Sequence, residues 1–159
     1  MYIGYMGDVV FYTSQDDILT PSDVSRSGSA RWSEHNVLMQ KPVSQFLGPG
    51  LESMSFKILI SSALGQSPRK VLTKLRNMRD TGAVFPLIIG GEPVSQFYWR
   101  ITDFTEGDLI TDAYGATYSI TVSINLKEYD DTNIPEEQSK LNVMGIKLNK
   151  INTLLGGRL

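Results

Sequence analysis

Apolar and polar residues alternate most strictly at residues 118–127. Tyr118, Ile120, Val122, Ile124 and Leu126 fall on one side of an extended chain, and Ser119, Thr121, Ser123, Asn125 and Lys127 on the other. The pattern predicts a strand of firmly set register, because a slip of one residue would turn every apolar side chain toward water. MSFKILIS (54–61) repeats it: Met54, Phe56, Ile58 and Ile60 share a buried face, Ser55, Lys57 and Ser61 a wet one, broken only by Leu59. SPRKVLTKLRNMRDTG (67–82) reads as a helix. Ser67 can cap its free N–H groups, Pro68 suits the first helical position, and Gly82 can take the left-handed turn that ends it. The apolar run VFPLII (84–89) predicts a further strand, giving the order strand, helix, strand.

The rest of the body follows from turn chemistry. GDVVFYT (7–13) predicts a first strand, residues 14–28 with their Asp, Ser and Pro a loop, and residues 30–37 a strand around Trp32. In QFLGPGLE (45–52), Gly48 and Gly50 flank Pro49, which predicts a loop. Residues 85–89, the turn GGEP (90–93) and FYWRITDF (97–104) predict a hairpin. In its second arm Phe97, Trp99, Ile101 and Asp103 alternate against Tyr98, Arg100, Thr102 and Phe104. PVSQF occurs at 42–46 and again at 93–97, which suggests two equivalent strand starts of a duplicated half-barrel. The predicted class is α+β: an antiparallel β-sandwich or half-barrel with one packed helix over residues 1–131, then a helical extension over 132–159. In that extension a polar break at 130–133 precedes Pro135, Glu136 and Glu137, a helix start. Leu141, Met144, Leu148, Ile151 and Leu155 then form an amphipathic seam. The seam is suited either to the domain's own sheet or to a neighbouring subunit.

Composition narrows the chemistry more than the fold. A chain of 159 residues with 41% hydrophobic content suits one soluble domain. No apolar run approaches the roughly 20 residues that cross a bilayer, and the start lacks a secretory pattern, so synthesis in the cytoplasm and no membrane partner are expected. The absence of cysteine excludes disulfides and thiolate chemistry. A formal charge of −2 argues against specific nucleic-acid binding, which needs clustered Lys and Arg. His35 is the single histidine, so a histidine metal cluster is excluded and a Ser-His-Asp arrangement would have to use it. Asp103, Glu106, Asp108 and Asp112 are the densest acidic group, without the ligand spacing of a calcium loop. No catalytic residue, metal or cofactor is expected. The wet strand faces carry Ser, Thr and Asn with few charges, which suits either plain exposure or the lining of a passage through which a polymer slides.

GDVVF near the start, Arg31 and Trp32, and QFLGPGLE come in an order that a known family shares. So do Leu75, Arg76 and Met78 leading to Gly82, Pro86 and Leu87, then ITDFTEG, then YSITVSINLKEYD. From about Gly7 to Tyr129 the chain resembles the U tail-protein family of contractile-tailed bacteriophages, R-type bacteriocins and prophage remnants. It departs from the family pattern at residues 58–62, which lack a glycine, and in the C-terminal helix. The resemblance implies a non-enzymatic virion tail component with a tail-tube-like β-fold, made in the bacterial cytoplasm and assembling as a homohexameric ring. Ser119, Thr121, Ser123 and Asn125 would line its lumen, through which DNA can pass. Gln45, Phe46, Gly48, Gly50, Glu52, Glu106 and Gly107 would make subunit or inter-ring contacts. The implied partners are the tail tube protein, the baseplate hub and the tape-measure protein. The baseplate end is the expected position, a head-proximal terminator the alternative, and a cell-wall hydrolase using the acidic group the competing class.

Overall fold

The chain begins with a hairpin, β1 (Tyr2–Met6) and β2 (Val9–Thr13), turned through Gly7 and Asp8. Gly7 sits at φ 57, the left-handed region that a tight hairpin asks of its first turn residue. β3 (Ile18–Leu19), β4 (Pro21–Ser27), β5 (Ala30–His35) and β6 (Val43–Pro49) follow, then β7 (Ser53–Ser61). A 3₁₀ turn (Ser62–Leu64) and α1 (Pro68–Asp80) lead to β8 (Val84–Phe85), β9 (Leu87–Ile89) and β10 (Glu92–Pro93). The body closes with the long strands β11 (Tyr98–Thr111) and β12 (Thr117–Tyr129). The computed structural model describes residues 1–16 and 18–130. The helix predicted around Leu141, Met144, Leu148, Ile151 and Leu155 lies outside the described residues.

Two antiparallel sheets carry the core. Their strand orders are β10-β9-β1-β2-β3 and β4-β7-β12-β11-β8, while β5 and β6 form a ribbon apart. The alternating segments pair as neighbours: Val122 lies opposite Ile58, and Ile124 opposite Phe56. This register puts four apolar residues of each strand on one buried face, with Ile58, Ile60, Val122 and Ile124 sealed from solvent. Against it pack Met6, Phe11 and Leu87 from the first sheet, and Phe11 meets Phe56 edge-on with ring centres 6.1 Å apart. Helix α1 fills the same core with Val71, Leu72, Leu75 and Met78, at the three- and four-residue spacing of one helix face. The result is mostly β with one packed helix, α+β in broad terms as expected.

The helix stops as its sequence predicts. Gly82 (φ 64) sends its N–H to the Arg79 carbonyl at 3.2 Å, and the Ala83 N–H reaches the Met78 carbonyl at 3.0 Å. At the other end Ser67 is extended, yet its hydroxyl makes no capping bond. Pro68 has already removed one of the N–H groups that a cap would serve.

Other segments depart from the pattern. The expected loop at 14–28 contains β4, an edge strand whose Pro21, Asp23 and Arg26 disguise it. Much of QFLGPGLE is strand, since β6 runs through Gly48, which adopts φ 118 there. The run 84–89 divides at Pro86: Phe85 pairs with Trp99 in one sheet and Leu87 with Met6 in the other. Asp103 leaves the Trp99–Ile101 face because a bulge at Thr102 shifts the register, setting Phe104 toward the core and Asp103 toward solvent. The two PVSQF copies are not equivalent. The first lies in exposed β6, and the second leads from β10 into a partly buried turn.

Candidate assembly surface

The wet face of the second sheet is a field of small hydroxyls. Cross-strand pairing sets Ser123 against Lys57, Asn125 against Ser55 and Lys127 against Ser53, and β4 extends the row with Ser25 and Ser27. On the other side of β12, Asp103 faces Asn125 and Thr105 faces Ser123. The face is dished, with a hollow of about 420 Å³ over Ser25, Ser27, Ser55, Thr102 and Asn125. Two of its charges are already engaged. Lys57 pairs with Asp23 at 3.0 Å, and the Asn125 amide donates to Asp103 Oδ1 at 2.6 Å. Thr121 and Ser123 are half-buried and Asn125 is exposed. Ser119 differs, being 8% exposed opposite buried Ser61 and close to the 3₁₀ turn. The hydroxyls of β4 were hidden from sequence reasoning; the one signal was serine at 22, 25 and 27.

Both lateral edges of this sheet are open among the described residues. Beyond β4 no strand follows, and β8 covers β11 only at Trp99 and Arg100. The rest of β11 is held from the helix side: Arg76 bridges Glu106 at 2.6 Å, and the Arg79 guanidinium lies 4.9 Å from the Phe104 ring centre. A hydrogen bond from Arg79, 2.8 Å away, holds the neighbouring Asp80 carboxyl below the usual carboxylate range.

Two projections leave the body. The β5–β6 ribbon exposes Trp32 (59%), Phe46 (55%) and Val43 (58%), with the Trp32 and Phe46 rings 5.1 Å apart. Gln45 accepts or donates to His35 Nε2 at 3.0 Å on the opposite ribbon face, so the histidine is a surface residue. Gly48 and Gly50 lie at the ribbon base, where the Gly50 N–H reaches the Ser29 carbonyl at 2.7 Å. The second projection is the tip of the β11–β12 hairpin, beyond Gly107 opposite Thr121. Asp112 builds it by accepting from the Tyr114 and Ala116 N–H groups, both at 2.9 Å.

One buried carboxylate ties the ribbon base to the body. Glu128, 5% exposed, accepts the Glu52 N–H at 3.1 Å and the Ser95 hydroxyl, while Arg26 bridges Glu52 and donates to the Val94 carbonyl at 2.9 Å. Nothing in the alternation marked Glu128, which falls on the apolar side of its strand. Glu128→Ala leaves two buried donors unpaired and should cost about 2–4 kcal/mol. Glu128→Gln keeps an acceptor for Glu52 and a donor for Ser95, and should cost less than about 1 kcal/mol. Urea unfolding checks both; equal losses would mean that Glu128 acts through packing alone.

The acidic group does not converge. Asp103 lies on the wet face and Glu106, opposite Val122, on the helix face, while Asp112 closes the distant tip. Two-carboxylate hydrolysis needs a pair within about 10 Å flanking one bond, and opposite sheet faces do not provide it. Among the described residues, no three acidic or histidine side chains cluster as metal ligands, and no helix is long and apolar enough to cross a membrane. What the surface offers is a hydroxyl-rich dished face, two open strand edges and two projections. No curated protein shows a sequence match to the chain. Residues 7–131 match the family described as Phage P2 GpU, from the first hairpin turn past the end of β12. The chain therefore belongs to the Phage P2 GpU family, as the motif order implied, and is a structural protein of a phage tail.

Proposed function

We propose that six copies join edge to edge into a closed ring continuous with the tail tube, with the hydroxyl-rich face turned inward. The observation that carries this is the pairing of open edges with a smooth face on the same sheet. β4, β7, β12 and β11 run alternately up and down, so β4 of one copy meets β11 of the next in antiparallel fashion. Closing the ring satisfies the edges that a lone subunit leaves exposed to aggregation. Six four-stranded contributions make a barrel of about 24 strands, wider than the porins whose lumen is already water-filled. Thr121, Ser123 and Asn125 then line the channel beside Ser53 and Ser55. A polymer passing through meets hydroxyls and few unpaired charges, and DNA slides without being gripped.

The ring sits at the baseplate end, between the tube protein and the central hub, where it meets the tape-measure protein. Electron microscopy of the purified protein should show six-membered rings with these three side chains on the lumen. A solitary chain inside finished particles would overturn the ring. A gold label on the chain should appear at the baseplate, and signal at the collar would make it a head-proximal terminator instead.

A further inference from the structure

The two projections leave the sheet at opposite ends. The β5–β6 ribbon departs where Ser27 lies opposite Ser53, and the β11–β12 tip lies beyond the pairing of Ser119 with Ser61. These are the two ends of β7, about 26 Å apart at roughly 3.3 Å per residue. Each projection is apolar in a different way. The ribbon shows the stacked Trp32 and Phe46, while the tip shows Leu109 (58%), Ile110 (57%) and Tyr114 (96%). Their charges oppose. Residues 29–49 carry Arg31 and Lys41 against Glu34, whereas residues 105–118 carry Glu106, Asp108 and Asp112 and no Lys or Arg. Neither Arg31 nor Lys41 is in an ion pair among the described residues. A two-stranded ribbon is also marginal alone in water, so a surface that receives it supplies what its own chain does not.

We propose that the β5–β6 ribbon of one copy seats on the β11–β12 tip of another, a head-to-tail contact between copies of this chain. The aromatic pair covers Leu109 and Ile110, and Arg31 and Lys41 face Asp108 and Asp112. Because the two patches differ, the contact is heterologous and repeats from copy to copy along the strand direction. It goes beyond the lateral ring: edge pairing joins copies side by side, whereas this contact uses no sheet edge.

The chain has no cysteine, so introduced thiols report without background. Leu38 at the end of the ribbon is 89% exposed and Tyr114 at the tip 96%, which makes both suitable positions. Full-length Leu38→Cys and Tyr114→Cys proteins, each checked for an unchanged melting temperature, are treated with a short bismaleimide separately and mixed. The mixture should give cross-linked dimers, each protein alone none, and the double variant a ladder. Adding Arg31→Glu and Lys41→Glu to the Leu38→Cys chain should lower the yield about tenfold, the scale of two exposed ion pairs. Equal cross-linking of Leu38→Cys alone would mean that ribbons meet each other, and would overturn the proposal. So would rings seen by microscopy with no cross-link in the mixture, which would assign the ribbon to a different tail protein and leave the lateral ring standing.

Discussion

A chain carrying Glu106→Pro should fold and then fail to close rings. The reason lies in which way backbone groups point along β11. The Glu128 N–H donates to the Glu52 carbonyl on the β7 side, and N–H groups alternate sides along a strand, so Val122 also turns its backbone toward β7. Glu106 lies opposite Val122 and therefore directs its own N–H away from β12, to the open edge. Proline there removes no bond within the subunit ladder, deletes a donor that the neighbouring β4 would use, and places a ring where that strand must approach. Losing the Arg76 contact costs the monomer at most about 1 kcal/mol, since that pair is exposed. Each of six interfaces loses a hydrogen bond and gains a clash, so ring formation at micromolar concentration should fall by more than about tenfold. Analytical ultracentrifugation reads the outcome. Rings of normal stability from Glu106→Pro would place the subunit contact elsewhere than on this edge.

The elements legible in the sequence were those whose burial is one-sided. β7 and β12 alternate because one face meets α1 and the first sheet while the other meets solvent, so Ile58 and Ser55 carry their positions in their chemistry. The helix was legible for the same reason, with Pro68 and Gly82 marking its ends. Edge and irregular elements were not. β4 needs no apolar face, because its outer side pairs with nothing among the described residues, and its serines read as loop. β1 was hidden behind Gly4. The ribbon was hidden because strand residues at Gly48 and Pro49 resemble a turn, and because Trp32 and Phe46 look like core residues until their exposure is known. The bulge at Thr102 has no periodic signature, so Asp103 changed face unannounced. Of the surface, Thr121, Ser123 and Asn125 were readable from alternation alone. Glu128 was not, since a carboxylate on a buried face declares itself only when its partners Glu52 and Ser95 arrive from distant segments.

Gly4→Ala should be among the most damaging single changes to the fold, although it adds one methyl group. β1 lies between β2 and β9, and Gly4 pairs with Phe11 on one side and Ile89 on the other, next to an irregularity in the β1–β2 register. A Cβ at residue 4 would lie 2.0 Å from the Ile88 carbonyl oxygen, 2.8 Å from its carbon and 3.1 Å from the Ile89 Cα. All three are backbone atoms, so no side chain can swing aside. Relief to ordinary contact moves β9 by more than about 1 Å, and β9 carries Leu87, which is sealed in the core, so the shift spreads into packing that tolerates little. Overpacking typically costs about 1–3 kcal/mol, and a rigid backbone clash belongs at or above the top of that range, a large share of a domain's roughly 5–15 kcal/mol. Gly107→Ala is the matched control: its nearest non-neighbouring atom is the Thr121 carbonyl oxygen at 4.0 Å. There the methyl group meets ordinary space and restricts the unfolded chain, so stability should hold or rise by about 0.5 kcal/mol. Urea midpoints of the two variants should therefore move in opposite directions from the parent. A Gly4→Ala midpoint within error of the parent would mean that β1 does not pair with β9 in this register.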